Sequence, residues 1–219
     1  IVGLPNSGKS SLINKLTNAK PTISHVQFST IKPIVGMMSY EGTSIQLIEN
    51  PAVESEYYDK GLPNTADTIL ILIDSLEDIK KIMPHLKKSH AKQIIIFNKI
   101  DLLSPNEKRK IKANLASNKY NFVMVSTKTK EGFNKLKDKI FQSFNKIRVY
   151  TKEPKKTIKE KTKRPIILDP GSTVKDVAEK ILNGFSKKVK ETKIWGPSSK
   201  FSGQKVGLTH KLKDLDVVE

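Results

Sequence analysis

Apolar positions in the first 147 residues alternate between short unbroken runs and helical stripes. Thr68-Ile69-Leu70-Ile71-Leu72-Ile73-Asp74 and Gln93-Ile94-Ile95-Ile96-Phe97 are runs of strand length, expected for strands covered on both faces of a parallel sheet. Ile34–Tyr40 and Thr43–Ile48 read as strands joined by a Glu41-Gly42 hairpin turn. Asn121–Val125 reads as a last core strand. Between these runs the period changes. Ile79, Ile82, Met83 and Leu86 are spaced for one helix face over 78–89, with Pro84 placed to distort it. Ser104-Pro105-Asn106-Glu107 combines an N-cap, a first-turn proline and a capping-box acid. Phe133, Leu136, Ile140 and Phe144 form the stripe of an amphipathic helix over 131–147. Alternation of this kind predicts a doubly wound, mostly parallel α/β sheet.

The pattern changes after Ile147. Arg148–Thr151 reads as a strand, 154–164 as a basic loop, and Ile166–Leu168 as a second strand. Thr173-Val174-Lys175-Asp176 is a capping box for a helix that Gly184 ends. Short strands follow near Lys193–Trp195, Lys205–Val206 and Asp216–Val218, which predicts a small α+β domain. The expected division is therefore 1–147 and 148–219.

Two motifs give the first domain its chemistry. Gly3-Leu4-Pro5-Asn6-Ser7-Gly8-Lys9-Ser10 fits the phosphate loop G-x-x-x-x-G-K-[ST], between an apolar strand end (Ile1-Val2) and a helix opening at Ser11. In such a loop, backbone N–H groups surround phosphates, Lys9 reaches the β/γ oxygens, and the Ser10 hydroxyl ligates Mg²⁺. Asn6, Ser7, Gly8, Lys9, Ser10 and Ser11 are the candidate phosphate contacts. Asn98-Lys99-Ile100-Asp101 fits N-K-x-D at the carboxyl end of a buried strand, where open α/β sheets bind ligands. Asp101 can accept from guanine N1–H and the exocyclic amine. Adenine offers neither donor and would leave the carboxylate unpaired, which argues against an ATPase. Lys99 is expected to lay its stem along the base, and Asn98 to tie this loop to the phosphate loop.

Charge narrows the partners. The chain carries a formal net charge of +18, with 40 Lys+Arg against 22 Asp+Glu, which points to a polyanion. Residues 148–219 hold 18 Lys/Arg against 9 Asp/Glu, so the smaller domain is the denser in positive charge. Nucleic acid fits better than membrane, because no apolar run approaches a transmembrane length. Arginine occurs only at 109, 148 and 164, which favours phosphate contacts over bidentate base reading. The plainer reading, lysine as a solubilising surface, stays open. Trp195 and Tyr150 either stack on bases or belong to the small core. The chain has no cysteine, compatible with a cytoplasmic setting. It starts inside its first strand without a methionine, so a preceding segment is expected. His25, His85, His90 and His210 lack ligand spacing, which speaks against a protein-held transition metal.

These motifs resemble the Obg superfamily of translation-associated GTPases, and most of all the DRG (developmentally regulated GTP-binding) branch. The resemblance is carried by Gly3–Ser10, Phe28-Ser29-Thr30, Ile45–Ala52, Asn98–Asp101 and Ser126-Thr127-Lys128. In the second domain it is carried by Leu168–Ala178, Ile194-Trp195-Gly196 and Gly203–Leu208. It implies a P-loop GTPase domain followed by a TGS domain of ubiquitin-like β-grasp fold, with GTP or GDP and Mg²⁺ as ligands. Thr30 would be the switch I threonine on Mg²⁺, with Ser29 a second candidate. Ser126, Thr127 and Lys128 would form the loop that contacts guanine O6. The resemblance also implies RNA or ribosome contact through the TGS domain, and an accessory protein of the DRG type.

The family's D-x-P-G stands here as Glu49-Asn50-Pro51-Ala52. Glu49 is one methylene longer than aspartate, which puts water-mediated Mg²⁺ coordination in question. Ala52 resists conformations open to a glycine hinge. Val53 occupies the position of the water-orienting glutamine, and no arginine lies in either switch, so slow intrinsic hydrolysis is expected. Asn6 matches an asparagine that ligates K⁺ in potassium-activated relatives; the other reading is that it stabilises the loop. Two functions follow: a slow GTP-hydrolysing switch that docks RNA or the ribosome, or a hydrolysis-deficient nucleotide-binding module.

Overall fold

The computed structural model describes residues 1–18 and 32–219. Thr30 and Ser29, assigned above to switch I, lie outside the described residues, as does His25. The chain divides into two compact units, residues 1–40 with 44–144 and residues 41–43 with 145–219.

The first unit contains β1 (Val2–Gly3), α1 (Lys9–Leu16), β2 (Ile34–Tyr40), β3 (Thr43–Glu49), α2 (Leu62–Thr65) and β4 (Thr68–Ile73). It continues with α3 (Asp78–Ile82), β5 (Lys92–Phe97), α4 (Pro105–Ser117), β6 (Phe122–Met124) and α5 (Phe133–Ser143). A four-stranded sheet runs in the order β1-β4-β5-β6 with every pairing parallel, and β2 and β3 form a hairpin. Side chains alternate between two cores, as the period of two requires. Leu70, Leu72, Ile94 and Ile96 face α1 and α5, packing on Leu12, Ile13, Leu136 and Ile140. Ile69, Ile71, Ile73, Ile95 and Phe97 face the opposite side, against Ile79, Ile82 and Leu115. That double burial is why these strands read as unbroken apolar runs.

Local signals set the helix ends. Ser104 and Glu107 form the capping box that starts α4, with Pro105 in its first turn. The helix over 78–89 is shorter than its stripe: α3 stops at Ile82, and Met83–Leu86 is a 3₁₀ turn containing Pro84. The proline lacks the N–H that the next α-helical bond needs. The α5 helix spans 133–143 rather than 131–147. Gly132 sits at φ 80°, and a Cβ there would lie 2.2 Å from the Met124 carbonyl oxygen, so the helix starts after it. Ile147 belongs to the next strand.

The second unit contains β7 (Ile147–Thr151), β8 (Ile166–Leu168), α6 (Val174–Ile181), β9 (Thr192–Trp195), β10 (Gln204–Val206) and β11 (Val217–Val218). The sheet order is β10-β9-β11-β7-β8, with β11 parallel to β7 and the other pairings antiparallel. Val174 and Val177 of α6 pack on Val149, Leu168, Ile194 and Val218. A mixed sheet holding one helix is the β-grasp arrangement expected for this segment.

Candidate functional site

Three loops leave the carboxyl ends of β1, β5 and β6, strands of one parallel sheet in which β4 separates β1 from β5, where open α/β sheets take ligands. The first is the glycine-rich loop between β1 and α1. Asn6 and Gly8 adopt left-handed conformations, φ 57° and 98°. A Cβ on Gly8 would lie 2.5 Å from Asn98 Nδ2, so this position combines a positive φ with close packing. Lys9 is buried, and its Nζ donates to the Leu4 carbonyl at 2.8 Å and the Gly3 carbonyl at 3.2 Å. Burial lowers its pKa to about 8, opposed by the nearby Glu49 carboxylate. An ammonium held this dry gains strongly from an anion beside it. Ser10 Oγ donates to Glu49 Oε1 at 2.6 Å. Asn6 is exposed, and Ser11 lies in the first turn of α1.

Asn98 is buried and joins all three loops. Its Nδ2 donates to the Ser7 carbonyl at 2.9 Å and to Thr127 Oγ1 at 3.3 Å, while its Oδ1 accepts from Thr127 N at 3.1 Å. Asp101 follows, with Oδ1 accepting from Ser126 Oγ at 2.6 Å. That hydrogen bond holds the Asp101 carboxyl below the usual carboxylate range. Ser126 Oγ in turn accepts from the N–H groups of Lys128 at 3.2 Å and Thr129 at 3.1 Å, shaping the third loop. The Lys99 backbone is left-handed at φ 60°, and its ammonium pairs with Asp74.

Asp74, which periodicity did not single out, joins the candidate site through its ion pair with Lys99. It lies just beyond β4, the strand paired with β5, so it stands beside the N-K-x-D loop. Its orientation comes from Asp78, whose Oδ2 accepts from Asp74 N at 3.2 Å and Ser75 N at 3.1 Å. The strand-end rule that flagged Asp101 could have flagged this carboxylate too.

The segment after β3 is pinned. Asn50 Nδ2 donates to the Asp59 carbonyl at 2.7 Å, and Asp59 N donates to Asn50 Oδ1 at 3.1 Å. Val53 is 5% exposed within the core, and its N–H donates to the Gly3 carbonyl at 3.3 Å. Its side chain therefore does not face a ligand. Tyr58 is buried edge-on to His85, with ring centroids 5.9 Å apart.

In the second unit each candidate base-stacking ring has a lysine over it. Lys161 Nζ lies 3.7 Å from the centroid of Tyr150, itself only 6% exposed, and Lys152 Nζ lies 4.4 Å from that of the half-buried Trp195. The β7–β8 loop nevertheless exposes Lys155, Lys159, Lys163 and Arg164, none in an ion pair among the described residues. His210 Nε2 lies 3.0 Å from Ser198 Oγ, and no cluster of metal-ligating side chains occurs among the described residues. No described helix is long and apolar enough to cross a membrane.

Comparison with known proteins agrees with this geometry. Residues 1–99 match the model of the 50S ribosome-binding GTPase family, 67–149 that of the RsgA GTPase, and 147–219 that of the TGS domain. An uncharacterized GTP-binding protein of Methanocaldococcus jannaschii is 26% identical, the match covering 99% of this chain and 76% of that protein. The developmentally-regulated GTP-binding protein 2 homolog of Dictyostelium discoideum is 23% identical over 100% of this chain and 81% of its own. GTPase Obg of Pelagibacter ubique is 34% identical over 64% of this chain, which spans about half (49%) of that relative. Among solved structures, the G domain of the Thermotoga maritima FeoB iron transporter matches with TM-score 0.52 at 26% identity, over 65% of this chain and 95% of its own. Era in complex with MgGDPNP and a 16S ribosomal RNA segment shares the fold, with TM-score 0.58 at 19% identity over 88% of this chain and 69% of its own. The chain is thus a P-loop GTPase with a TGS domain. The DRG and Obg GTPases among its relatives are consistent with an Obg-superfamily, DRG-like protein.

Proposed function

We propose that this protein binds GTP and GDP between the phosphate loop and the Asn98–Asp101 and Ser126–Lys128 loops, and hydrolyses GTP slowly. The observation that carries the reading is Asn98, which fastens the loop expected to hold phosphate to the two expected to hold the base. Lys9 would meet the β/γ oxygens, Asp101 the guanine edge, and Lys99 the face of the base. Mg²⁺ suits the hard oxygens of Ser10 and Glu49, which already stand together, with Thr30 a further ligand implied by the family. When bound, the ion neutralises charge on the β- and γ-phosphates. Asn6 would support a K⁺ ion there.

Hydrolysis should be slow because Val53, at the position of the water-orienting glutamine, is in the core, and Asn50 is engaged with Asp59. The same pinning favours a second reading, a nucleotide-binding module that has lost hydrolysis. The basic TGS unit would dock RNA or the ribosome in the cytoplasm; the family matched by the first unit is described as 50S ribosome-binding. With Tyr150 buried and a lysine over each ring, lysine–phosphate contacts would dominate, with weak sequence preference. An accessory protein of the DRG type would be a further partner.

Single-turnover GTP hydrolysis measured alone, with ribosomes, and in K⁺ against Na⁺ tests the switch. The expected result is a low basal rate raised by ribosomes and by K⁺. Intact GTP binding with no cleavage under any condition selects the second reading, and equal rates in the two salts remove the K⁺ ion. Ribosome co-sedimentation should weaken steeply with salt.

A smaller effect is expected at Asp74. Asp74→Asn should weaken GDP binding about two- to fivefold, the range of a half-exposed ion pair. If Asp74 acts by holding the lysine, the change should be silent in a Lys99→Met background. An undiminished loss there would assign Asp74 to the turn alone.

A further inference from the structure

Glu49 is the last residue of β3 and is 0% exposed. Its Oε1 lies 2.6 Å from Ser10 Oγ, the hydroxyl that follows the phosphate-loop lysine. The carboxylate has little freedom to withdraw. Its strand is paired in a hairpin, Asn50 N donates to the Ile1 carbonyl at 3.0 Å, and the Asn50 side chain is clamped to the Asp59 backbone on both its oxygen and its nitrogen. Ala52 and Val53, which follow, are themselves buried.

The spacing of the two oxygens carries a consequence for metal binding. An octahedral Mg²⁺ holds oxygens at about 2.0–2.1 Å, so neighbouring ligands stand roughly 2.9 Å apart. Ser10 Oγ and Glu49 Oε1 are within a few tenths of an ångström of that separation before any ion arrives. An aspartate, one methylene shorter on the same pinned backbone, would stop short and leave room for water. We infer that Glu49 is a direct ligand of the divalent ion that accompanies the nucleotide, taking a coordination position beside Ser10 that water would otherwise fill. In the ion-free state the carboxylate accepts a hydrogen bond from the serine hydroxyl. With the ion bound, both oxygens would direct lone pairs to it, and that hydrogen bond would be given up. The inference rests on the guanine-nucleotide reading above and adds how the ion is held.

Mn²⁺ in place of Mg²⁺ makes this measurable without hydrolysis. In the GDP complex one phosphate oxygen, Ser10 and Glu49 would leave about three of six octahedral positions to water, against about four if the carboxylate acts through a water. Broadening of the Mn²⁺ electron paramagnetic resonance lines in ¹⁷O-water counts those positions. The expected count is about three in the wild type, rising by one in Glu49→Asp. Should the aspartate variant fail to fold, the wild-type count stands as the test. A bound Mn²⁺·GDP complex with about four waters in the wild type would overturn the direct-ligand assignment and leave nucleotide binding intact. Failure of the wild type to form any GDP complex would overturn both.

Discussion

Replacing Asp101 by asparagine should remove most of the affinity for GDP and transfer the preference to xanthosine diphosphate. The orientation of the side chain decides this. Ser126 Oγ donates to Asp101 Oδ1 at 2.6 Å, so an asparagine keeps that bond by placing its oxygen there and turning its NH₂ toward the base. Guanine presents an amine at that edge, and two donors then face each other. Xanthine presents a carbonyl oxygen instead, which accepts from the new amide. A site built to pair a donor rejects the mismatched base by on the order of 10²–10⁴ in affinity. Titration of Asp101→Asn with GDP and xanthosine diphosphate checks this. An unchanged preference for GDP would remove Asp101 from the base site.

Asn98→Ala should be the most damaging single truncation at the junction of the three loops. It deletes the donors to the Ser7 carbonyl and Thr127 Oγ1, together with the acceptor for Thr127 N. The side chain is only 1% exposed, so water cannot readily replace those partners. A buried polar group left unpaired costs about 1–3 kcal/mol; with the Ser7 carbonyl buried and the two Thr127 groups partly so, the three together put the loss at roughly 3 kcal/mol or more. Thermal unfolding should fall by several degrees, and GDP binding should weaken more than stability alone explains, because phosphate and base loops no longer share an anchor. A variant as stable and as tight as the wild type would show that the loops are positioned independently.

Much of this arrangement is legible in the chain because it depends on local signals. The apolar runs of β4 and β5 report burial on both faces, and the Ser104/Glu107 and Thr173/Asp176 boxes announce their helices directly. Periodicity misleads where a single backbone geometry overrides it. Gly132 sets the start of α5 despite the apolar stripe, and Pro84 converts the end of a helix into a 3₁₀ turn. Pairings between distant residues leave no periodic trace. Ser10 with Glu49 and Lys99 with Asp74 become visible only when strand order brings the strand ends together. The aromatic side chains are a related case. The sequence allowed Tyr150 and Trp195 either a stacking or a core role; in the fold each lies beneath a lysine.

The segment between Glu49 and Asp59 is held by its own contacts: Asn50 is engaged on both polar atoms, and Ala52, Val53 and Tyr58 are buried while Tyr57 is exposed. A ligand shifts a conformational equilibrium only by its differential affinity for the two states, so rearranging this segment would first have to offset those contacts. Nucleotide-dependent change, where it occurs, is expected elsewhere in the first unit.

Calorimetric titration of the purified protein with GDP, GTP and ATP in the presence of Mg²⁺ tests the central claim most directly. Saturable binding of both guanine nucleotides is expected, with ATP weaker by at least about 10² because it cannot satisfy Asp101. No measurable heat or competition with either guanine nucleotide, or equal affinity for ATP, would contradict it.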